Sequence, residues 1–113
     1  MLPKKRRIPK KEFPFILKNG KRLNSPHLLI YLAKNKDDAP SRFSFSISKK
    51  ICKNAVDRNK YRRQGYSIIS KNLNQTKTGY FCFFLFKKGK YPIQFSELND
   101  EITSLLMGVG MLI

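Results

Sequence analysis

The chain has 113 residues and a net charge of +17, with 24 Lys and Arg against 7 Asp and Glu. That length holds one domain with a small core, and such charge calls for a polyanionic partner, nucleic acid first and a membrane surface second. Two cysteines are too few for a disulfide scaffold, one His with two separated Cys makes no zinc site of ordinary spacing, and neither a spanning helix nor a signal peptide is expected.

Residues 1–11 read as a basic arm. Lys4, Lys5, Arg6, Arg7, Lys10 and Lys11 have no apolar periodicity around them, and Pro3 and Pro9 discourage helix. The string has the form of a nuclear localisation signal, a pattern often met by chance. A solvated arm touching phosphates fits the rest of the chain better. Phe13 to Lys18 reads as a short helix with Pro14 in its first turn and Gly20 ending it; Phe13, Ile16 and Leu17 share a face. His27 to Ala33 reads as a strand apolar on both faces, and Lys34 to Ser41, with Asp37, Asp38 and Pro40, as a turn region. In Arg42 to Ser48, Phe43, Phe45 and Ile47 alternate with Ser44, Ser46 and Ser48, the cleanest period-two signal in the chain. One face of that strand is expected to be buried, the other small and polar.

Asn54 to about Leu73 reads as a helix, with Asn54 as N-cap and Asp57 in the first turn, where a negative charge suits the dipole. Its stripe of Ala55, Asn59, Arg62, Tyr66, Ile69 and Leu73 is apolar only in the second half. The first turns are cationic or polar nearly all round, unlike those of a purely structural surface helix. Tyr80 to Phe86 is apolar on both faces, as expected of a central strand. Phe95, Leu98, Ile102, Leu105 and Val109 stripe a last helix with Ser96 as N-cap. The order is helix, strand, strand with room for a third short one, helix, strand, helix: a two-layer α+β sandwich forming a single domain over residues 1–113 with a basic N-terminal arm.

Seventeen of the 24 cations fall in residues 1–22 and 48–71, each of which holds one acid. Any single lysine there is an ordinary solvated charge, but this clustering is the footprint of nucleic-acid binding. The densest run, Ser48 to Arg63, follows a strand and opens a helix. It resembles the signature of the bacterial ribonuclease P protein subunit: Ser48-Lys49-Lys50, Asn54-Ala55-Val56 and Arg58-Asn59 match it, and Arg62-Arg63 stand for Lys-Arg. Lys60 replaces an Arg, so a bidentate fork becomes a point charge. The family's later Arg falls on Tyr66, and Gly65 stands where an aliphatic is usual. Leu2 to Arg6, Lys11 to Phe13 and Lys18 to Arg22 look like the family's opening segments, Leu17 stands at a common Phe, and Tyr31 falls at an aromatic position of the first strand.

The resemblance implies a small α+β sandwich with a left-handed βαβ crossover, against the general rule of handedness. It implies a subunit that binds a large catalytic RNA and helps it cut the 5′ leader from precursor tRNA in the cytoplasm, with no membrane and no further protein partner required. The RNA-binding residues it implies are Lys49, Lys50, Lys53, Asn54, Arg58, Asn59, Lys60, Arg62 and Arg63. It also implies a leader cleft at Phe13, Leu17, Tyr31, Ser46 and Ser48. An apolar floor under a cationic rim suits a single strand, although each such aromatic is singly more often core; Phe45 and residues 80–86 are assigned to the core. His27 reads as a surface or hydrogen-bonded histidine.

No catalytic residue is expected. Hydrolytic nucleases gather carboxylates around metal ions, whereas Asp37 and Asp38 read as turn residues, Glu12 and Asp57 as helix-terminus charges, and Glu97, Asp100 and Glu101 lie on the last helix. The protein itself needs no cofactor; Mg²⁺ is expected for the RNA-catalysed reaction, with metal ligands unnamed. The alternatives are a small structural ribosomal protein of similar fold and an independent basic nuclease.

Overall fold

Elements follow one another along the chain as α1 (Phe13–Asn19), β1 (Lys21–Asn24), β2 (Leu28–Lys34), β3 (Arg42–Ser46), α2 (Ala55–Asn72), β4 (Tyr80–Phe86) and α3 (Phe95–Gly108). This computed structural model describes residues 2–36 and 39–112, so the expected turn residues Asp37 and Asp38 lie outside the described residues. The strands form one mixed sheet in the order β1-β2-β4-β3. β2 pairs antiparallel with β1 and β4, while β3 pairs parallel with β4, which makes α2 the crossover of a βαβ unit. The third short strand is β1, exposed along its whole length.

Period-two alternation gives the sheet two apolar faces. On one, Ile30, Phe43, Phe45, Phe84 and Phe86 pack with Ile68 and Ile69 of α2 and with Leu98 and Ile102 of α3. On the other, Ala33, Phe81 and Phe83 pack with Ile8 of the arm and Ile16 of α1. β4 is apolar on both faces because it lies inside the sheet, as expected.

The arm is not the solvated segment its composition suggests. Leu2 is 1% exposed and Ile8 7%. Leu2 belongs to the α2 and α3 core and Ile8 to the α1 core, so the arm crosses the edge of β3 between them. Single 3-10 turns at Lys4–Arg6 and Lys10–Glu12 flank a parallel bridge from Arg7 to Phe43. The backbone N–H of Ile8 donates to Ser44 Oγ at 3.2 Å. The small polar face of β3 is therefore roofed by the arm, and Ser44 is buried.

Two helix ends also differ from expectation. Gly20 follows α1 in an extended conformation, with φ of −71°, not a left-handed one. A glycine fits there because a Cβ would lie 2.5 Å from the carbonyl oxygen of Ile16. α3 begins at Phe95, so Ser96 is inside it, and the N-cap Gln94 makes no side-chain cap.

α3 is fastened to the sheet through Glu101, which is buried beside the buried His27. Glu101 Oε1 accepts from the His27 backbone N–H at 2.8 Å and from Ser25 Oγ, and Oε2 lies 2.7 Å from His27 Nδ1. His27 Nε2 donates to the Lys90 carbonyl at 2.8 Å. Burial alone pushes the Glu101 carboxyl up, but hydrogen bonds from Ser25 and from the backbone and ring of His27 outweigh it and hold the group below its usual value. A carboxylate lowered in the folded state lends stability that is complete above its unfolded value, 4.5, and is lost as pH falls through the folded one. Glu101→Gln should therefore cost about 1–3 kcal/mol at neutral pH. Thermal unfolding against pH should show a lower melting temperature and a flatter acid limb than wild type.

Candidate nucleic-acid interface

Beyond β3 the chain buries Ile47 and then turns outward, leaving Ser48, Lys49 and Lys50 exposed. The N–H groups of Ile51 and Cys52 both donate to the Ser48 carbonyl at 3.1 Å, closing the turn. Asn54 caps α2 as expected, its Oδ1 accepting from the Val56 N–H at 2.8 Å. Arg58 reaches back, and its Nη1 donates to the carbonyls of Cys52 and Lys53, both at 2.8 Å. Asn54 and Arg58 thus hold the strand-to-helix turn in shape. Lys53, Asn59, Lys60 and Arg63 are exposed around the first turns of α2, and half-buried Arg62 donates to Asn59 Oδ1. Among the described residues none of these cations is paired with a carboxylate, so their charge faces outward.

The departures at Gly65 and Tyr66 have a common cause. The buried face of α2 is Tyr61, Gly65, Tyr66, Ile68 and Ile69, while Ala55 and Asn59 of the expected stripe are exposed. Tyr61 falls off a stripe counted from Ala55. A Cβ on Gly65 would come within 2.7–2.8 Å of the Phe45 ring, so that ring occupies the space an aliphatic would take. Tyr66 meets Phe45 edge-on at 5.2 Å and accepts from the Phe45 N–H at 3.3 Å. The Arg7 guanidinium stands 5.8 Å from the Tyr66 ring centre. A cation from the arm therefore stands where α2 lacks one, and Arg7, Asn59, Arg62, Arg63 and Tyr66 line a cavity of about 370 Å³.

A second cavity, about 510 Å³, opens between the arm, α1 and β3. Phe13 and Leu17 of α1 line it with Ser44, Phe45 and Ser46 of β3, and Arg7, Lys10 and Tyr66 stand at its sides. Its floor includes Phe83, whose ring lies 5.0 Å from that of Phe13. Of the expected cleft residues, Phe13, Leu17 and Ser46 come together here. Tyr31 does not line the cavity; it stacks on Phe83 at 6.0 Å. Ser48 is exposed in the basic turn, away from the lining. Phe45 and Phe83, assigned to the core, both reach the cavity wall, and no periodicity distinguishes them from their buried neighbours.

A model of the ribonuclease P family matches residues 2–109. The chain belongs to the ribonuclease P protein family. It is 32% identical to the ribonuclease P protein component of Microcystis aeruginosa over 91% of its own length and 88% of the relative's. With that of Rickettsia canadensis it shares 31% identity, over 86% of this chain and 90% of the relative. The fold is that of the Staphylococcus aureus RNase P protein, with a TM-score of 0.86 at 20% identity, covering 96% of this chain and 98% of the other. The Thermotoga maritima RNase P protein superposes with a TM-score of 0.78 at 23% identity, over 88% and 94% of the two chains. The chain is thus a protein subunit of a ribonucleoprotein endoribonuclease, and the ribosomal alternative finds no support in these matches.

The fit of Gly65 to Phe45 can be tested directly. Gly65→Ala should destabilise, since overpacking costs about 1–3 kcal/mol while helix propensity returns roughly 1 kcal/mol. Phe45→Leu also costs stability alone. The double variant should recover part of the loss in denaturant unfolding, a coupling that independent sites would not show.

Proposed function

We propose that this ribonuclease P protein binds the catalytic RNA through the outward charges of the strand-to-helix segment and seats the 5′ leader of precursor tRNA in the cleft beneath α1. Lys49, Lys50, Lys53, Lys60, Arg62 and Arg63, with Asn59, meet RNA phosphates, and Asn54 and Arg58 keep the turn that presents them. One observation carries the reading: Arg7 and Tyr66 line both the aromatic cleft and the cationic cavity on α2. A strand lying on Phe13 and Leu17 would therefore pass Arg7 and Tyr66 toward Asn59, Arg62 and Arg63. Stacking on the floor holds bases of any sequence, and the cations hold the backbone.

The bond-breaking step is assigned to the RNA. Among the described residues no three His, Cys, Asp or Glu side chains come together as the carboxylate cluster of a metal-dependent nuclease would. The protein's contribution is position and field: it anchors the leader and lowers the repulsion between two polyanions. No helix among the described residues is long and apolar enough to cross a membrane. We place the chain in the cytoplasm with its RNA, with no further protein partner needed.

The direct experiment is cleavage of precursor tRNA by a bacterial ribonuclease P RNA at low magnesium, with and without the chain. Added protein should raise the rate, and an unchanged rate would overturn the reading. The cleft has its own test. Phe13→Ala should weaken binding of precursor tRNA to the holoenzyme by roughly 1–3 kcal/mol per base unstacked and leave mature tRNA binding unchanged. A lowered melting temperature with intact leader discrimination would instead assign Phe13 to the core.

A further inference from the structure

β3 and β4 are parallel neighbours, so the chain leaves both at the same end of the sheet. The cationic turn with Lys49, Lys50 and Lys53 follows β3. A second turn of the same character follows β4: Lys87, Lys88, Gly89 and Lys90. Topology therefore brings together two basic turns that lie far apart in sequence.

The second turn is held from several sides. The Lys87 N–H donates to the His27 carbonyl at 3.0 Å, and His27 Nε2 donates to the Lys90 carbonyl at 2.8 Å. Tyr91 Oη donates to the Lys87 carbonyl at 2.7 Å, and a Cβ on Gly89 would lie 2.8 Å from the His27 ring. The turn also abuts α2. Tyr91 and Tyr61 have ring centres 5.8 Å apart, and the Ile93 N–H donates to Tyr61 Oη at 3.2 Å. Lys87 Nζ donates to Asn24 Oδ1 at 3.0 Å, while Lys88 and Lys90 are exposed. Among the described residues none of the three is paired with an acid, and Glu101 beneath them is already engaged by Ser25 and His27. A rigid cationic turn set beside another raises repulsion that only an external anion relieves.

We propose that the Lys87–Lys90 turn is a second phosphate-binding surface, continuous with the strand-to-helix segment, that holds the backbone of the same catalytic RNA. The proposal rests on the RNA-binding reading above. Lysines read phosphates as point charges without base preference, so the turn adds affinity and orientation, not sequence specificity.

The test is binding of a bacterial ribonuclease P RNA as a function of salt. It compares the wild-type chain, the Lys88→Ala/Lys90→Ala double variant and a control double variant, Lys36→Ala/Lys77→Ala. The control lysines are likewise exposed and flank the opposite end of β4 and β2. Lys88→Ala/Lys90→Ala should weaken binding on the order of tenfold and flatten the log-log salt slope by about 0.7–0.9 per phosphate released. The control should change neither, and all three chains should melt together. A loop variant that binds as wild type does, or an equal loss in the control, would overturn the surface while leaving the RNA-binding reading standing. A wild-type chain that does not bind this RNA would overturn both.

Discussion

The stack of Phe45 on Phe84, with ring centres 4.6 Å apart and planes 8° from parallel, is the contact on which the rest of the site depends. Phe45 also meets Tyr66 edge-on and fills the space above Gly65. One ring thereby ties β3 to β4 and sets the depth at which α2 lies on both. Aromatic pairs of this geometry add about 0.5–1.5 kcal/mol each beyond their buried area, so the arrangement is fixed where three elements meet. Tyr66 is then placed by two constraints at once, the ring contact and the bond from the Phe45 N–H. Its position joins the aromatic cleft to the cationic face of α2 and gives Arg7 a ring to rest on.

The pairing of β3 with β4 has a second consequence. Parallel neighbours release their chains at the same end, so the turn after β3 and the helix it opens are set at one end of the sheet. Arg58 and Asn54 then lock that turn through backbone carbonyls and N–H groups. Both side chains, expected to contact RNA, also make these bonds within the protein. Preorganisation of this kind lowers the ordering cost of binding.

Much of the fold was legible because local pattern and burial agree: β3 read from alternation, β4 from an apolar run of strand length, and α2 from its cap and length. The arm was not, because Leu2 and Ile8 stand alone in a basic run and show no period, yet each enters a different core. Glu101 was unreadable for a similar reason. A buried acid on a helix is marked only by its partners, and Ser25 and His27 lie far off in sequence. The cationic half of the site showed in charge clustering and in the ribonuclease P motif. The cleft showed only in part. α1 is seven residues long, so it covers only part of its face of the sheet. Which aromatic of an all-apolar strand meets the gap depends on where that short helix stops. Phe83 meets it and Tyr31 packs behind, a difference of packing between two residues that are cross-strand partners.

The composition follows from the same balance of forces. A chain with net charge +17 is pushed apart by its own field, and a chain of 113 residues has little interior with which to oppose it. Buried aromatics such as Phe43, Phe45, Phe84, Phe86, Tyr61 and Tyr66 answer that with large buried area per residue and paired rings, keeping the core apolar while the charge stays outside. Glu101, one of seven acids, lies on the helix that closes the core and joins α3 to the sheet instead of offsetting the basic turns. A polyanion bound to the folded chain supplies the missing countercharge and, by linkage, stabilises the fold that binds it. The unneutralised end of the sheet is thus a cost to the isolated protein that a bound polyanion would relieve.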